Sequence, residues 1–282
     1  MIKTIKNKFI YFYSLFKRAL KYQIENGWYK AFKKIKLMLI CYWEGPTNLS
    51  KFISPKGLDV KRSIKKKYNY SGELVNFFVK GKNPTNKWHH YIPLYEKHLS
   101  KYRDKDIKIL EIGVGGGGSL QMWRNYFGHK ATIFGIDCRE EVAGCVSGAE
   151  IRIGDQSDEN FLKNVAKEMK GIDVIIDDGS HNCDDIKKSL IILFPLLNDN
   201  GTYVIEDLHT TYFRRWGGGI NKNFFDNLRA LIDDMHQNYH EQKFNIKAVS
   251  KSLVGIHVYD SIIFLDKSKV FKPNYSIIPK YK

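Results

Sequence analysis

The chain has 282 residues, 43% hydrophobic and 27% charged, enough apolar side chain for a sizeable core and too much for wholesale disorder. Its net charge of +16 is concentrated at one end: residues 1–67 carry 17 Lys and Arg against three acids (Glu25, Glu44, Asp59), and the remainder holds 29 bases against 27 acids. A nearly neutral main region argues against a nucleic-acid channel. Four cysteines without paired short spacing signal neither a zinc site nor a disulfide framework, in keeping with a cytoplasmic setting.

Ile5, Phe9, Phe12, Phe16 and Ala19 recur at helical spacing with lysines between them. Asn26-Gly27 breaks the run, and Trp28, Phe32, Ile35 and Leu39 form a second one that Gly45-Pro46 closes. Neither offers about 18 unbroken apolar residues, so no membrane span is expected, and the charges interrupt any signal-peptide core. A basic, aromatic-rich amphipathic arm suits an anionic membrane surface through residues 1–40, at the inner face of a membrane. The same faces could instead pack on the main domain or on another subunit of a homo-oligomer, and an RNA-binding arm is a third reading. From Ser50 to Lys67 the chain is basic and poor in periodicity and reads as a linker. Arm and linker thus occupy residues 1–67, and the main domain residues 68–282.

In the main domain, Gly72 to Val79 begins a short helix, Asn83-Pro84 punctuates the chain, and Tyr91, Leu94, Tyr95 and Leu99 mark a helix ahead of the sheet. Lys87, His90 and Tyr91 at its start could line a cofactor pocket or form a solvated rim. Ile107 to Gly113 reads as the first strand. It runs into a glycine turn, Gly113 to Ser119, and then a helix marked by Leu120, Met122, Trp123, Tyr126 and Phe127. Strand, glycine turn and helix make a nucleotide-binding element, because glycines admit the ligand close to the backbone and the helix start offers free N–H groups. Gly113, Gly115 and Gly118 satisfy G-x-G-x-x-G, a pattern shared by NAD, FAD and S-adenosylmethionine (SAM) sites.

Ala131 to Asp137 is the second strand. Its terminal acid lies 19 residues after Gly118, where a carboxylate can accept from ribose hydroxyls or, alternatively, cap a helix. Ile151 to Asp158 is the third strand and its exit, with Asp155 and Gln156 placed to contact an adenine edge. A helix over Phe161, Leu162, Val165 and Met169 leads to a β-branched run, Val174 to Ile176, that suits a strand buried on both faces. That run stops at Asp177 and Asp178, followed by Gly179, Ser180 and His181. Ile186 to Leu197 reads as helical up to a turn at Asp199 to Gly201. Thr202 to Asp207 is the fifth strand, Phe224 to Tyr239 a helix, and Ile256 to Leu265 the last two strands about a turn near Asp260.

The strand ends carry the chemistry. In an open α/β sheet ligands bind beyond the carboxyl ends of the strands, and Glu206 and Asp207 should arrive there one strand over from Asp178. Three carboxylates with no obvious basic partner in sequence repel unless a cation joins them, and oxygen ligands suit Mg²⁺ or another hard divalent ion. The bland alternative is that Asp177 and Asp178 cap the next helix.

Four segments, Leu110 to Gly117, Gly154 to Asp158, Ile176 to His181 and Val204 to Leu208, together resemble the class I SAM-dependent methyltransferases, specifically the metal-dependent sugar O-methyltransferases of the macrolide (mycinamicin) type. The likeness covers about residues 85 to 266. It implies a Rossmann-like seven-stranded sheet with helices on both faces, here with the basic helical arm added. It implies Mg²⁺ on Asp178, Glu206 and Asp207, and His181 as base. SAM would be held by Glu111, Gly113, Gly115 and Asp137, with the segment holding Lys87, His90 and Tyr91 contributing, and Asp155, Gln156 and Asp177 join that set.

The resulting expectation is a SAM-dependent, metal-assisted O-methyltransferase acting on a sugar or glycan hydroxyl, of a surface polysaccharide or its lipid- or nucleotide-linked precursor. Rival readings are an NAD-dependent oxidoreductase, a methyltransferase of another small molecule or natural product, a nucleic-acid methyltransferase, and a non-catalytic membrane-associated adaptor that keeps the fold. The nucleic-acid reading lacks the Asn/Asp-Pro-Pro-aromatic turn after the fourth strand, where this chain has Asp177 to His181.

Overall fold

A computed structural model describes residues 51–219, 223–241 and 248–278, and the two amphipathic runs expected within residues 1–40 lie outside them. The chain divides between Gly57 and Leu58. In the first unit, Phe52 and Ile53 are exposed. No helix among the described residues is long and apolar enough to cross a membrane.

The second unit is built on one sheet of seven strands: β1 (Lys108–Ile112), β2 (Thr132–Asp137), β3 (Glu150–Ile153), β4 (Ile172–Asp177), β5 (Leu197–Ile205), β6 (Leu253–Tyr259) and β7 (Ile262–Lys267). Their order is β3-β2-β1-β4-β5-β7-β6. All neighbours in the first five are parallel, and β7 runs antiparallel to both β5 and β6. The order reverses between β1 and β4, which makes their carboxyl ends the crevice of the sheet. This is the seven-stranded class I methyltransferase sheet that the motifs implied.

Side chains alternate across each strand, so the sheet has two cores. One packs Leu110, Ile112, Ile175, Tyr203 and Ile205 under α5 (Glu159–Met169), α6 (Cys183–Leu193) and α7 (Phe224–Met235). The other packs Ile109, Val174, Ile176 and Val204 under α1 (Val60–Tyr68), α2 (Glu73–Lys80), α3 (Tyr91–Leu99) and α4 (Gly118–Phe127). By the same alternation Glu111, Asp178 and Glu206 leave the sheet on the α3 side, and Asp177 on the α6 side.

Two stretches depart from the expected elements. Residues 60–67, read as linker, belong to α1: Asp59 caps it by accepting from the Arg62 N–H, three lysines sit in its last turn, and Ile64 is fully buried. One buried side chain in nine residues leaves no periodic signal to read. Residues 197–201, read as a helix end at Leu197 and a turn at 199–201, belong to β5. The β4–β5 register shifts between Ile172 and Val174, and Asn200 turns through a left-handed φ of 65° within the strand. An irregular strand entry of this kind reads as a turn in sequence.

Candidate functional site

The backbone ladder continues past the strand ends and lines up their terminal residues. The Asp178 N–H donates to the Ile112 carbonyl, that of Glu206 to the Asp177 carbonyl, and that of Gly113 to the Ile136 carbonyl, at 2.8–3.0 Å. Asp178, Glu206 and the glycine turn therefore share one edge, as strand-end placement requires. Gly113 adopts a φ of 91°, and a Cβ there would lie 2.2 Å from the Asp178 carbonyl oxygen. Only glycine lets β1 pass this close to β4.

Asp178, Asp207 and His181 converge: one ligand atom from each lies within 4.8 Å of the others. The His181 Nε2 stands 3.9 Å from Asp178 Oδ1 and 3.9 Å from Asp207 Oδ2. Both His181 and Asp207 adopt left-handed backbone, at φ 56° and 55°, a conformation that costs a non-glycine residue about 1–2 kcal/mol and gathers at functional sites. Thr210 steadies both: its buried hydroxyl lies 2.8 Å from the Asp207 carbonyl and 3.1 Å from that of His181. The two carboxylates offer oxygen donors of the kind a hard divalent ion accepts, and the imidazole beside them is placed to take a proton.

Glu206, the third acid expected at the ion, meets a cation of the chain itself. The Lys87 ammonium donates to both Glu206 oxygens at 2.8 Å and to Asp178 Oδ2 at 2.5 Å, and it lies 3.9 Å from Glu111 Oε1. Tyr95 adds a third donor to Glu206 at 2.5 Å. Burial alone would push the Lys87 ammonium down, but Asp178, Glu206 and Glu111 outweigh it and hold the group protonated. The expectation that the acids have no basic partner is thus corrected, because 119 residues of chain separate Lys87 from Glu206.

Three residues expected at the cofactor contact the strand-end acids or the β6–β7 turn. Lys87 is one. Tyr91 donates to Asp207 Oδ1 at 3.0 Å and to the Ser261 carbonyl at 2.9 Å, and it accepts from the Asp207 N–H. His90 bonds the Asp260 carbonyl through Nε2 at 2.8 Å, which ties it to the β6–β7 turn. Trp88, unremarked in sequence, donates its indole N–H to Asp207 Oδ1 at 2.9 Å. The segment from Lys87 to Tyr95 is a rack of donors for the strand-end acids.

Asp177 and Gln156 also face inward. Asp177 accepts from Ser189 at 2.6 Å, Tyr203 at 3.2 Å and Gln156 at 3.3 Å. Its burial pushes the carboxyl up to about 6 against Ser189, His181 and Tyr203. Gln156 accepts from the Ser180 N–H at 2.6 Å and so braces the turn before His181. Asp155 accepts from the N–H and hydroxyl of Ser157, closing the turn after β3.

Around the glycine turn the arrangement fits a nucleoside cofactor. Gly115, at φ 57°, borders open space, since nothing lies within 4 Å of where its Cβ would stand. Glu111 Oε1 is buried without a hydrogen-bond partner, an acceptor that a bound donor would satisfy, while Ser119 donates to its other oxygen. Burial pushes Glu111 up to about 7 although Lys87 opposes the shift. Asp137 accepts from the Val114 and Gly115 N–H groups and from Arg139 through Nε and Nη2. Burial would raise its carboxyl, but Arg139 and these backbone donors bring it below the ordinary range. Asn83 clasps the turn from outside through the Gly116 and Cys145 carbonyls. Arg139 and Asn83 carried no sequence signal beyond their proximity to a loop.

Comparison with known proteins bears out the resemblance. No family model matches the chain. It is 36% identical over 198 residues to the 8-demethyl-8-(2-methoxy-alpha-L-rhamnosyl)-tetracenomycin-C 3'-O-methyltransferase of Streptomyces olivaceus, covering 64% of this chain and 50% of that one. It is 34% identical over 197 residues to the mycinamicin VI 2''-O-methyltransferase of Micromonospora griseorubida, covering 64% and 49%. The chain spans about half the length of the curated relatives it matches. Among solved structures, MycE methyltransferase from the mycinamycin pathway in complex with Mg and SAH superposes with a TM-score of 0.63 at 31% identity, covering 70% of this chain and 54% of that one. A second MycE structure, with Mg, SAH and mycinamycin VI, gives 0.62 at 30% identity over 76% and 54%.

Proposed function

We propose that this chain, a relative of the macrolide and tetracenomycin sugar O-methyltransferases over its sheet-bearing region, is a SAM-dependent, divalent-metal-assisted O-methyltransferase of a sugar hydroxyl. The observation that carries the reading is the convergence of Asp178, Asp207 and His181 beside the glycine turn, at an edge where Glu111 keeps an unsatisfied buried oxygen. When bound, SAM supplies an electrophilic methyl and the divalent ion favours negative charge on an acceptor oxygen.

The chain's own residues do the rest. Asp178, Glu206 and Asp207 would hold the ion, with Lys87 and Tyr95 the donors that meet Glu206. His181, about a quarter exposed, takes the acceptor hydroxyl proton on Nε2, a contribution of about 10²–10⁴-fold. Trp88 and Tyr91 fix Asp207, Thr210 fixes the backbone of both Asp207 and His181, and Glu111, Gly113, Gly115 and Asp137 cradle the nucleoside. Pinning both reactants in one crevice supplies much of the remaining rate.

His181→Ala should lose at least 10²-fold in turnover with SAM binding preserved, and unchanged turnover would remove the base. Labelled SAM with a panel of glycosides and nucleotide sugars, with and without EDTA, tests the reaction; transfer indifferent to EDTA would sink the metal assignment. The finer reading, a surface polysaccharide or its precursor as acceptor at the inner face of a membrane, is supported only by the basic arm. It predicts that residues 1–60 co-sediment with anionic vesicles, and failure to do so counts against it.

A further inference from the structure

The β6–β7 turn is bonded to the end of β5, and its hydrogen bonds converge on one residue. Ser261 adopts a left-handed φ of 65°, a conformation that persists where the surroundings over-determine it. Its carbonyl accepts from the Leu208 N–H at 2.8 Å and from the Tyr91 hydroxyl at 2.9 Å. Its hydroxyl oxygen accepts from the His209 N–H at 3.1 Å and lies 2.6 Å from Nδ1 of the same histidine. That hydroxyl has one hydrogen. With the backbone N–H already directed at its oxygen, the arrangement that satisfies every group sends the hydrogen to Nδ1 and leaves the histidine's own proton on Nε2. The shape of the imidazole then turns Nε2 away from Ser261.

His209 stands two residues past Asp207, edge-on to Trp88 with ring centroids 5.3 Å apart, and Trp88 itself donates to Asp207. It lies within electrostatic reach of both Asp207 and His181. The ring is half-buried, and Nε2 has no hydrogen-bond partner among the described residues. A donor fixed in direction, beside the acids and the base and without an acceptor of its own, is a group that a bound ligand satisfies.

We propose that His209 is a specificity-determining residue of the acceptor site, whose Nε2–H donates to a second oxygen of the sugar beside the hydroxyl that is methylated, and that Ser261 is the positioning residue that fixes its tautomer. The proposal rests on the O-methyltransferase reading above. The two imidazoles have separate tasks: His181 takes the hydroxyl proton, and His209 keeps its own and selects the acceptor. A sugar without an oxygen at that place leaves the N–H unpaired, and an unpaired polar group in a partly buried site is what disfavours the wrong substrate.

The test measures kcat and KM for acceptor and for SAM, with thermal unfolding, in the full chain and in His209→Asn, His209→Gln and Ser261→Ala. The acceptor is the glycoside or nucleotide sugar found with the panel above, together with its monodeoxy analogues. An Asn amide reaches the place of Nδ1, and a Gln amide reaches the place of Nε2. His209→Asn should therefore keep the bond to Ser261 and melt close to the wild type, but raise the acceptor KM roughly three- to tenfold with the KM for SAM unchanged. His209→Gln should melt lower and recover most of the acceptor KM. Ser261→Ala, which frees the ring to take the other tautomer, should raise the acceptor KM in the same direction, and it keeps the test decisive should His209→Asn fail to fold. One monodeoxy analogue should lose the same factor with the wild type and nothing further with His209→Asn. An acceptor KM unchanged in His209→Asn and Ser261→Ala, an equal loss in His209→Gln, or the same deoxy penalties with and without the imidazole overturns the proposal while leaving the methyl-transfer reading in place. No transfer by the wild type to any member of the panel overturns both.

Discussion

Replacing Gly113 by alanine tests the geometry on which the crevice depends. The residue has a φ of 91°, and a methyl there would stand 2.2 Å from the Asp178 carbonyl oxygen and 2.8 Å from the Asp178 carbonyl carbon and Gly179 Cα. Reaching an ordinary contact of 3.4 Å requires β1 and β4 to separate by about 1.2 Å at their carboxyl ends. These neighbours are backbone, so no side chain can swing aside. Left-handed strain of about 1–2 kcal/mol and overpacking of about 1–3 kcal/mol sum to roughly 2–5 kcal/mol. For a domain of this size that is a melting-temperature loss on the order of 5–15 °C. The displacement carries Asp178 with it, and a misplacement of about 1 Å costs about 10²-fold in rate. Gly115→Ala is the control, because its φ is 57° but no atom lies within 4 Å of the added methyl. It should lose only about 1 kcal/mol. Differential scanning fluorimetry distinguishes the two; rates do not, because Gly115 itself borders the nucleoside site. Melting of Gly113→Ala within 2 °C of Gly115→Ala would refute the steric reasoning.

Thr210→Val keeps the shape but removes the hydroxyl bonded to the Asp207 carbonyl; it should cost about 0.5–1.5 kcal/mol of stability and lower kcat by more than tenfold, and an unaltered kcat would show that the two left-handed residues hold themselves. A third expectation concerns pH. Burial, with His257 and nearby lysines, brings His98 down to about 4, against the pull of Asp266, from about 6.5 in an unfolded chain. The unfolded state therefore binds the extra proton between those values, so stability is full above pH 6.5 and falls as pH drops toward 4. The ring is half-buried and screened, which leaves an effect on the order of 1 kcal/mol. In His98→Phe, which retains a ring to stack on Phe264 4.2 Å away, urea midpoints at pH 7 and pH 5 should converge, and an undiminished pH dependence would reassign it to other groups.

The elements that position the site were legible along the chain because each rests on a local pattern. The β-branched run Val174 to Ile176, the glycine turn after Ile112 and the paired acids after β4 and β5 are each encoded within ten residues, and strand-end acids in a parallel sheet can only emerge at one edge. Hydrophobic alternation likewise places Glu111, Asp178 and Glu206 on a common face. Sequence alone therefore determined the sheet, its ligand-binding edge and the identity of the acids. Which acids meet one another, and which meet a lysine, was decided only by tertiary packing. Lys87 and Trp88 reach Glu206 and Asp207 across 119 residues of chain, and Asp177 and Asp178 point to opposite faces although they are neighbours. A buried charge takes whatever partner the packed core brings within about 3 Å, and that distance is a property of the folded chain and not of any stretch of it.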